Sequence, residues 1–219
     1  MQREVLSPNP PLTDPETLRT NSRVIAMSCA GFNLRRAARA VTQHFDHALA
    51  PCGLRTTQFT LLAAMALGGP VTTNELARVL VMDRTTLTRN VRLLREAGWV
   101  ESGPGRGSRE LRFELSAAGR ETLAAAIPIW REAQGGIEAA YGTTVWPNMV
   151  AELGRLVVGT LSLTPGEEPP LALAALMQSG APRLQDSLAQ TATNRTPAGS
   201  LRPSASANPH CRAEHVSGP

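Results

Sequence analysis

The chain has no lysine: all 22 of its basic residues are arginine. This excludes a Walker-A lysine, a Schiff-base lysine and a kinase-type ATP-binding lysine. A coding bias toward GC-rich codons accounts for the absence. Its physical consequence is a basic surface that mild titration does not discharge, because guanidinium stays protonated at physiological pH. Cysteine is nearly as scarce: Cys29, Cys52 and Cys211 are too few and too scattered for a disulfide scaffold or a four-thiolate metal site. Apolar runs are short, the longest, such as Leu61 to Leu67, reaching seven residues, and the opening MQREVLSPNPPLTDPE has no signal-peptide core. The expectation is a reducing, cytoplasmic setting with no membrane partner. The 22 basic residues against 18 acidic ones leave +4, which permits an anionic partner without naming one.

Both ends are poor folding material. The first 20 residues hold Pro8, Pro10, Pro11 and Pro15 and show no sustained period, so residues 1–21 read as a flexible arm. Residues 164–219 hold eight prolines, four arginines balanced by four acids, and a Thr/Asn/Ser/Ala-rich stretch after Gln190. Such a segment cannot recover its ordering entropy by burial, so it is expected to be mostly disordered apart from a marginal helix near Leu171–Met177. The foldable part is residues 22–163.

Leu34, Ala37, Ala38, Val41, Phe45, Ala48 and Leu49 recur at helical spacing, and Pro51 with Gly53 ends that helix. Thr57 is a candidate cap for a second, with Phe59, Leu62, Ala63 and Ala66 on one face and Gly68–Gly69–Pro70 as its stop. Thr72 followed by Glu75 forms a capping box ahead of Leu76, Ala77 and Leu80. Asp83 can cap the next helix, where Leu87, Val91 and Leu94 make the buried line and Gly98 closes it. Two short capped helices joined this closely make a helix-turn-helix over residues 72–97.

Trp99–Val100–Glu101 then reads as a strand, Ser102 to Ser108 as a glycine-rich turn, and Leu111, Phe113 and Leu115 as the inward positions of a second strand. A hairpin over residues 99–115 behind a helix-turn-helix is a wing. The fold class is mainly α with a small β wing. Beyond Ala117, Leu123, Ile127 and Trp130 share one side of a helix that Pro128 should kink or break. Tyr141, Val145, Met149, Leu153, Leu156, Val157 and Leu161 give a further apolar stripe, interrupted near Pro147. That is more apolar surface than a winged helix needs; a dimer interface or extra intramolecular core would use it.

Charge concentrates on the same elements. Between Arg78 and Arg112 lie eight arginines and four acids, a local +4 equal to that of the whole chain. Opposite Leu87, Val91 and Leu94, the helical period places Thr85, Thr88, Arg89 and Arg92, with Arg84 at the start. Arginine can bridge guanine O6 and N7 in a major groove wide enough for one helix, threonine can meet a base edge or a thymine methyl, and the helix N-terminus offers N–H groups to phosphate. Arg106 and Arg109 on the glycine turn suit a minor groove or its flanking phosphates. Surface arginines that merely face water are the bland alternative.

The runs LRTTQFTLLAAM, TTNELARVLVMDRTTLTRNVRLLREAGWVESGP and RELRFELSAAGRE resemble the MarR family of bacterial transcriptional regulators over roughly residues 30–160. The resemblance implies a winged helix-turn-helix that dimerises through its N- and C-terminal helices, binds double-stranded pseudo-palindromic DNA and commonly represses nearby genes. It also implies a ligand or redox sensor between the dimer layer and the DNA-binding lobe. The family's Asp-x-Arg at the wing tip corresponds to Gly107–Ser108–Arg109, so the arginine is present and its acid is not. Glu110 or Glu101 is left to support Arg109 instead. Cys29 lies about two residues before the position at which some members sense peroxide, and with one tyrosine in the chain a shielded structural role is the other reading. Trp99, Trp130 or Phe45 would line an aromatic effector pocket, and Arg35, Arg36 and Arg39 would favour an anionic effector.

No cofactor is implied. His44 and His47 could supply two metal ligands and His210 and His215 lie near Cys211, but neither set has a third ligand of defined geometry, so no metal site is assigned. The glycines of residues 103–107 lead into a strand rather than a helix, a poor phosphate cradle, and no nucleophile–base pair is evident, so the chain is not expected to be an enzyme. The remaining alternatives are an activator, a non-specific DNA-binding protein, or a winged helix that binds protein instead of DNA.

Overall fold

The computed structural model describes residues 12–104 and 110–163. The elements run α1 (Pro15–Ser28), α2 (Ala30–Leu49), a 3-10 turn (Ala50–Cys52), α3 (Thr56–Gly68), α4 (Thr73–Leu80), α5 (Arg84–Glu96), β1 (Val100–Pro104), β2 (Leu111–Leu115), α6 (Ala117–Tyr141) and α7 (Trp146–Leu161). Packing divides the chain into two units, one ending at Phe45 and the other starting at Asp46, within α2.

In the first unit α1 begins at Pro15, inside the stretch expected to be a loose arm. Asp14 is the reason: its carboxylate accepts from the Glu16 and Thr17 amides, and Pro15 at the first helical position has the right φ and no N–H to satisfy. Counting prolines alone misses this start signal. Cys29 turns the chain out of α1 in an extended conformation, and Asn33 Nδ2 ties the corner by donating to the Ala26 and Cys29 carbonyls. No residue of α1 is buried; Leu18, Val24, Ile25 and Met27 all face solvent in the single chain.

The second unit is built on α3, which packs against α5, α6 and β2. Leu49, Leu54, Leu61, Leu62, Met65, Leu87 and Leu94 are its largest fully buried side chains. Thr57 is not the cap of α3. The helix starts at Thr56, whose amide and hydroxyl both donate to Asp46 Oδ1 at 2.7 Å, while the Arg55 amide donates to Gln58 Oε1. The cap therefore comes from the last turns of α2, ten residues upstream, a separation no local pattern reveals.

β1 and β2 form an antiparallel pair with Val100 opposite Leu115 and Pro104 opposite Leu111, and Val71 bridges to Phe113. Phe113 and Leu115 point inward as expected; Leu111, at the last pair, is exposed. α6 runs unbroken through Pro128, so the break expected there does not occur. Pro128 and Ala124, the residue four before it whose carbonyl cannot accept from a proline, are both exposed. Pro147 does mark a break, standing in the first turn of α7. Leu153 and Leu156 of α7, with Tyr141 and Val145 before it, are exposed, and only Gly154 of that helix is buried.

Candidate nucleic-acid interface

α4 and α5 form the helix-turn-helix through local signals. At α4, Thr72 Oγ1 accepts from the Glu75 amide at 3.2 Å and Glu75 Oε2 accepts from the Thr72 amide at 2.7 Å, completing the capping box. That bond from the Thr72 amide is the main reason the Glu75 carboxyl lies below its usual pKa. Between the helices Val81 takes a left-handed conformation at φ 50°, unusual for a β-branched residue. Asp83 then caps α5 by accepting from the Thr86 amide at 2.8 Å, and its bonds to Thr86 hold its carboxyl below the ordinary carboxylate range. This qualifies one expectation. The Thr86 amide is engaged by Asp83, and the carboxylate at that end opposes a phosphate there.

Leu87, Val91 and Leu94 of α5 are all buried, at 0%, 3% and 0% exposure. The 3.6-residue period then forces the other face outward. Arg84, Thr85, Thr88, Arg89 and Arg92 are all exposed, and together they form one open face of the helix. Arg92 shares its charge with Glu96, one turn on, at 3.5 Å, with both side chains more than half exposed. Such an exposed pair is weak and yields readily to a stronger anion.

Arg112, one of the eight arginines counted on this surface, is engaged elsewhere: its Nη1 donates to the Pro70 carbonyl and approaches Glu75. Sequence counting missed this role, because the partners lie 42 and 37 residues away. Arg106 and Arg109 lie outside the described residues.

Behind the wing, Ser116 caps α6 through the Gly119 amide and donates its hydroxyl to the Gly98 carbonyl, while its own amide donates to the Trp99 carbonyl. The approach is so close that a Cβ on Gly119 would lie 1.9 Å from the Trp99 oxygen. Trp130, partly exposed, stacks on the buried Phe59 with centroids 6.0 Å apart. Cys29 is exposed. Among the described residues no cluster of three His, Cys, Asp or Glu could hold a metal, and no helix is long and apolar enough to cross a membrane.

A sequence model of the MarR family matches residues 53–109, from the end of the 3-10 turn into the wing. The chain is 38% identical to the M. tuberculosis transcriptional regulator MosR, whose structure it matches with a TM-score of 0.56 over 62% of this chain and 97% of that one. The chain belongs to the MarR family. A second MosR structure, in complex with DNA, matches at 41% identity and a TM-score of 0.54, over 59% of this chain and 93% of that one. The HTH-type transcriptional regulator YwoH of Bacillus subtilis is 31% identical over 77 residues, 35% of this chain and 56% of that protein; the match spans little more than half the length of this curated relative. The MarR fold, mostly helical with a small antiparallel wing, is the architecture described above, and it makes this chain a winged helix-turn-helix protein rather than an enzyme.

Proposed function

We propose that this chain is a sequence-specific, DNA-binding transcriptional regulator acting as a homodimer, in which Arg84, Thr85, Thr88, Arg89 and Arg92 of α5 read the major groove and Arg106 and Arg109 grip the adjacent minor groove. The observation that carries the reading is the exposed Arg/Thr face of α5 opposite a fully buried Leu87/Val91/Leu94 line. The MosR–DNA complex supports it by likeness. The exposed apolar residues of α1 and α7 are the surfaces through which two copies pair. Two lobes then enter successive major grooves about 34 Å apart, which requires a pseudo-palindromic site.

Repression by occlusion of transcription, relieved by a small aromatic or anionic effector or by oxidation at the exposed Cys29, completes the reading. Selection of bound duplexes from a random pool, repeated with phenolic ligands and with peroxide, tests each part. An enriched two-fold-symmetric site whose affinity falls about a thousandfold or more between 50 and 200 mM salt is expected for 6–10 phosphate contacts. An Arg89→Ala plus Arg92→Ala variant that folds, dimerises and keeps full affinity for that site would refute the assignment of α5.

A further inference from the structure

The wing is fastened to α4 near its outer end. Val71 and Phe113 exchange backbone hydrogen bonds at 3.0 and 2.8 Å. Beside them Arg112 Nη1 donates to the Pro70 carbonyl at 2.8 Å and to Glu75 Oε2 at 3.3 Å, and the same carboxylate oxygen accepts from the Thr72 amide at 2.7 Å. Asn74 Nδ2 approaches Glu110 Oε1 at 3.4 Å. Arg112 pairs with Gly103, one step before Pro104–Leu111, the last pair among the described residues, so its guanidinium holds the hairpin near that pair. A single side chain thus joins β2, the Pro70 turn and the capping box of α4.

We propose that Arg112 is a positioning residue: with Glu75 it sets the angle at which the wing leaves α4, and so where the wing meets DNA, without itself contacting phosphate. The proposal rests on the DNA-binding reading above. A guanidinium suits the task because its rigid fork serves a carbonyl and a carboxylate together. The Glu75 carboxylate is also the group that a simple electrostatic view would regard as harmful on a DNA-facing lobe.

That conflict provides the test. Glu75→Gln keeps an oxygen to accept the Thr72 amide, so the cap survives while the charge pairing with Arg112 is lost. If charge alone mattered, removing the acid would tighten DNA binding. The clamp instead requires weaker binding to the selected duplex, by about two- to fivefold for a half-exposed charge-assisted hydrogen bond reduced to a neutral one. Arg112→Ala should weaken it similarly, and the double variant should be no worse than Arg112→Ala alone. In the DNA-free full chain, exchange of the Val71 and Phe113 amides should quicken in both variants while that of the Leu62 and Leu94 amides stays unchanged. Tighter or unchanged binding by Glu75→Gln overturns the proposal. So does an Arg112→Ala variant whose salt slope simply falls by about 0.9, the signature of one lost phosphate contact. If the wild-type chain prefers no duplex, the DNA reading fails on its own, and amide exchange still decides the clamp: acceleration supports it, constancy overturns it.

Discussion

Removing the carboxylate of Asp46 should cost the fold about 2 kcal/mol, even though the residue lies in the last turn of a different helix from the one it caps. Its Oδ1 accepts both the amide and the hydroxyl of Thr56, each at 2.7 Å, at the start of the helix around which the second unit packs. Loss of a helix cap by substitution with alanine costs about 1 kcal/mol. The hydroxyl bond to a charged acceptor adds about 1 kcal/mol more, discounted because the Asp46 side chain is 28% exposed. The Arg55 contact, at 3.5 Å with Arg55 78% exposed, adds nothing measurable. For Asp46→Ala this sums to roughly 2 kcal/mol, or a Tm lower by about 6–8 °C in a domain of this size.

Asp46→Asn keeps an acceptor for the Thr56 amide and should lose about half as much. The two bonds from Thr56, the amide first, hold the Asp46 carboxyl below its usual 3.8. The advantage of the native aspartate over asparagine is therefore fully present above that value and disappears as the pH falls through the lowered one. Urea unfolding at pH 6 and at pH 3 measures both effects. An alanine variant within 0.5 kcal/mol of the native chain, or an Asp–Asn gap equal at both pH values, would show that the capping argument is wrong.

Three further outcomes follow from single features. Gly119→Ala places a methyl 1.9 Å from the Trp99 carbonyl oxygen, and since both partners are backbone the variant should lose about 3 kcal/mol or more; a Tm within 2 °C of the native value contradicts this. Val81→Asn relieves about 1–2 kcal/mol of left-handed strain while giving up part of a half-exposed side chain, so thermal unfolding should show a small net gain of about 0.5 kcal/mol; a loss above 1 kcal/mol would refute it. Leu153→Glu with Leu156→Glu puts two charges on the exposed face of α7 and should raise the dimer dissociation constant by about a hundredfold in sedimentation experiments, with a matching loss of affinity for a symmetric duplex; an unchanged dimer means that face is not the interface.

Most of the DNA-facing lobe was legible in the residues alone because its signals are local. Thr72 and Glu75, Asp83, the Leu87–Val91–Leu94 spacing and the alternation ending in Phe113 and Leu115 each act within one turn or one strand, and each appears in the structure as read. The outward face of α5 then follows from helical periodicity. Local pattern also carries the start of α1: Asp14–Pro15 begins the helix, although the surrounding prolines suggest a loose arm.

Tertiary structure decided what depends on groups far apart in the chain. Asp46 replaces Thr57 as the cap of α3 because the end of α2 arrives beside it, and α6 continues through Pro128, which like Ala124 is exposed. Arg112, indistinguishable by composition from the arginines of α5, turns inward to Pro70 and Glu75. Sequence spacing specifies which face a side chain occupies; only the folded chain specifies which distant carboxylate or carbonyl that face meets, because hydrogen bonds act over about 3 Å whatever the separation along the backbone.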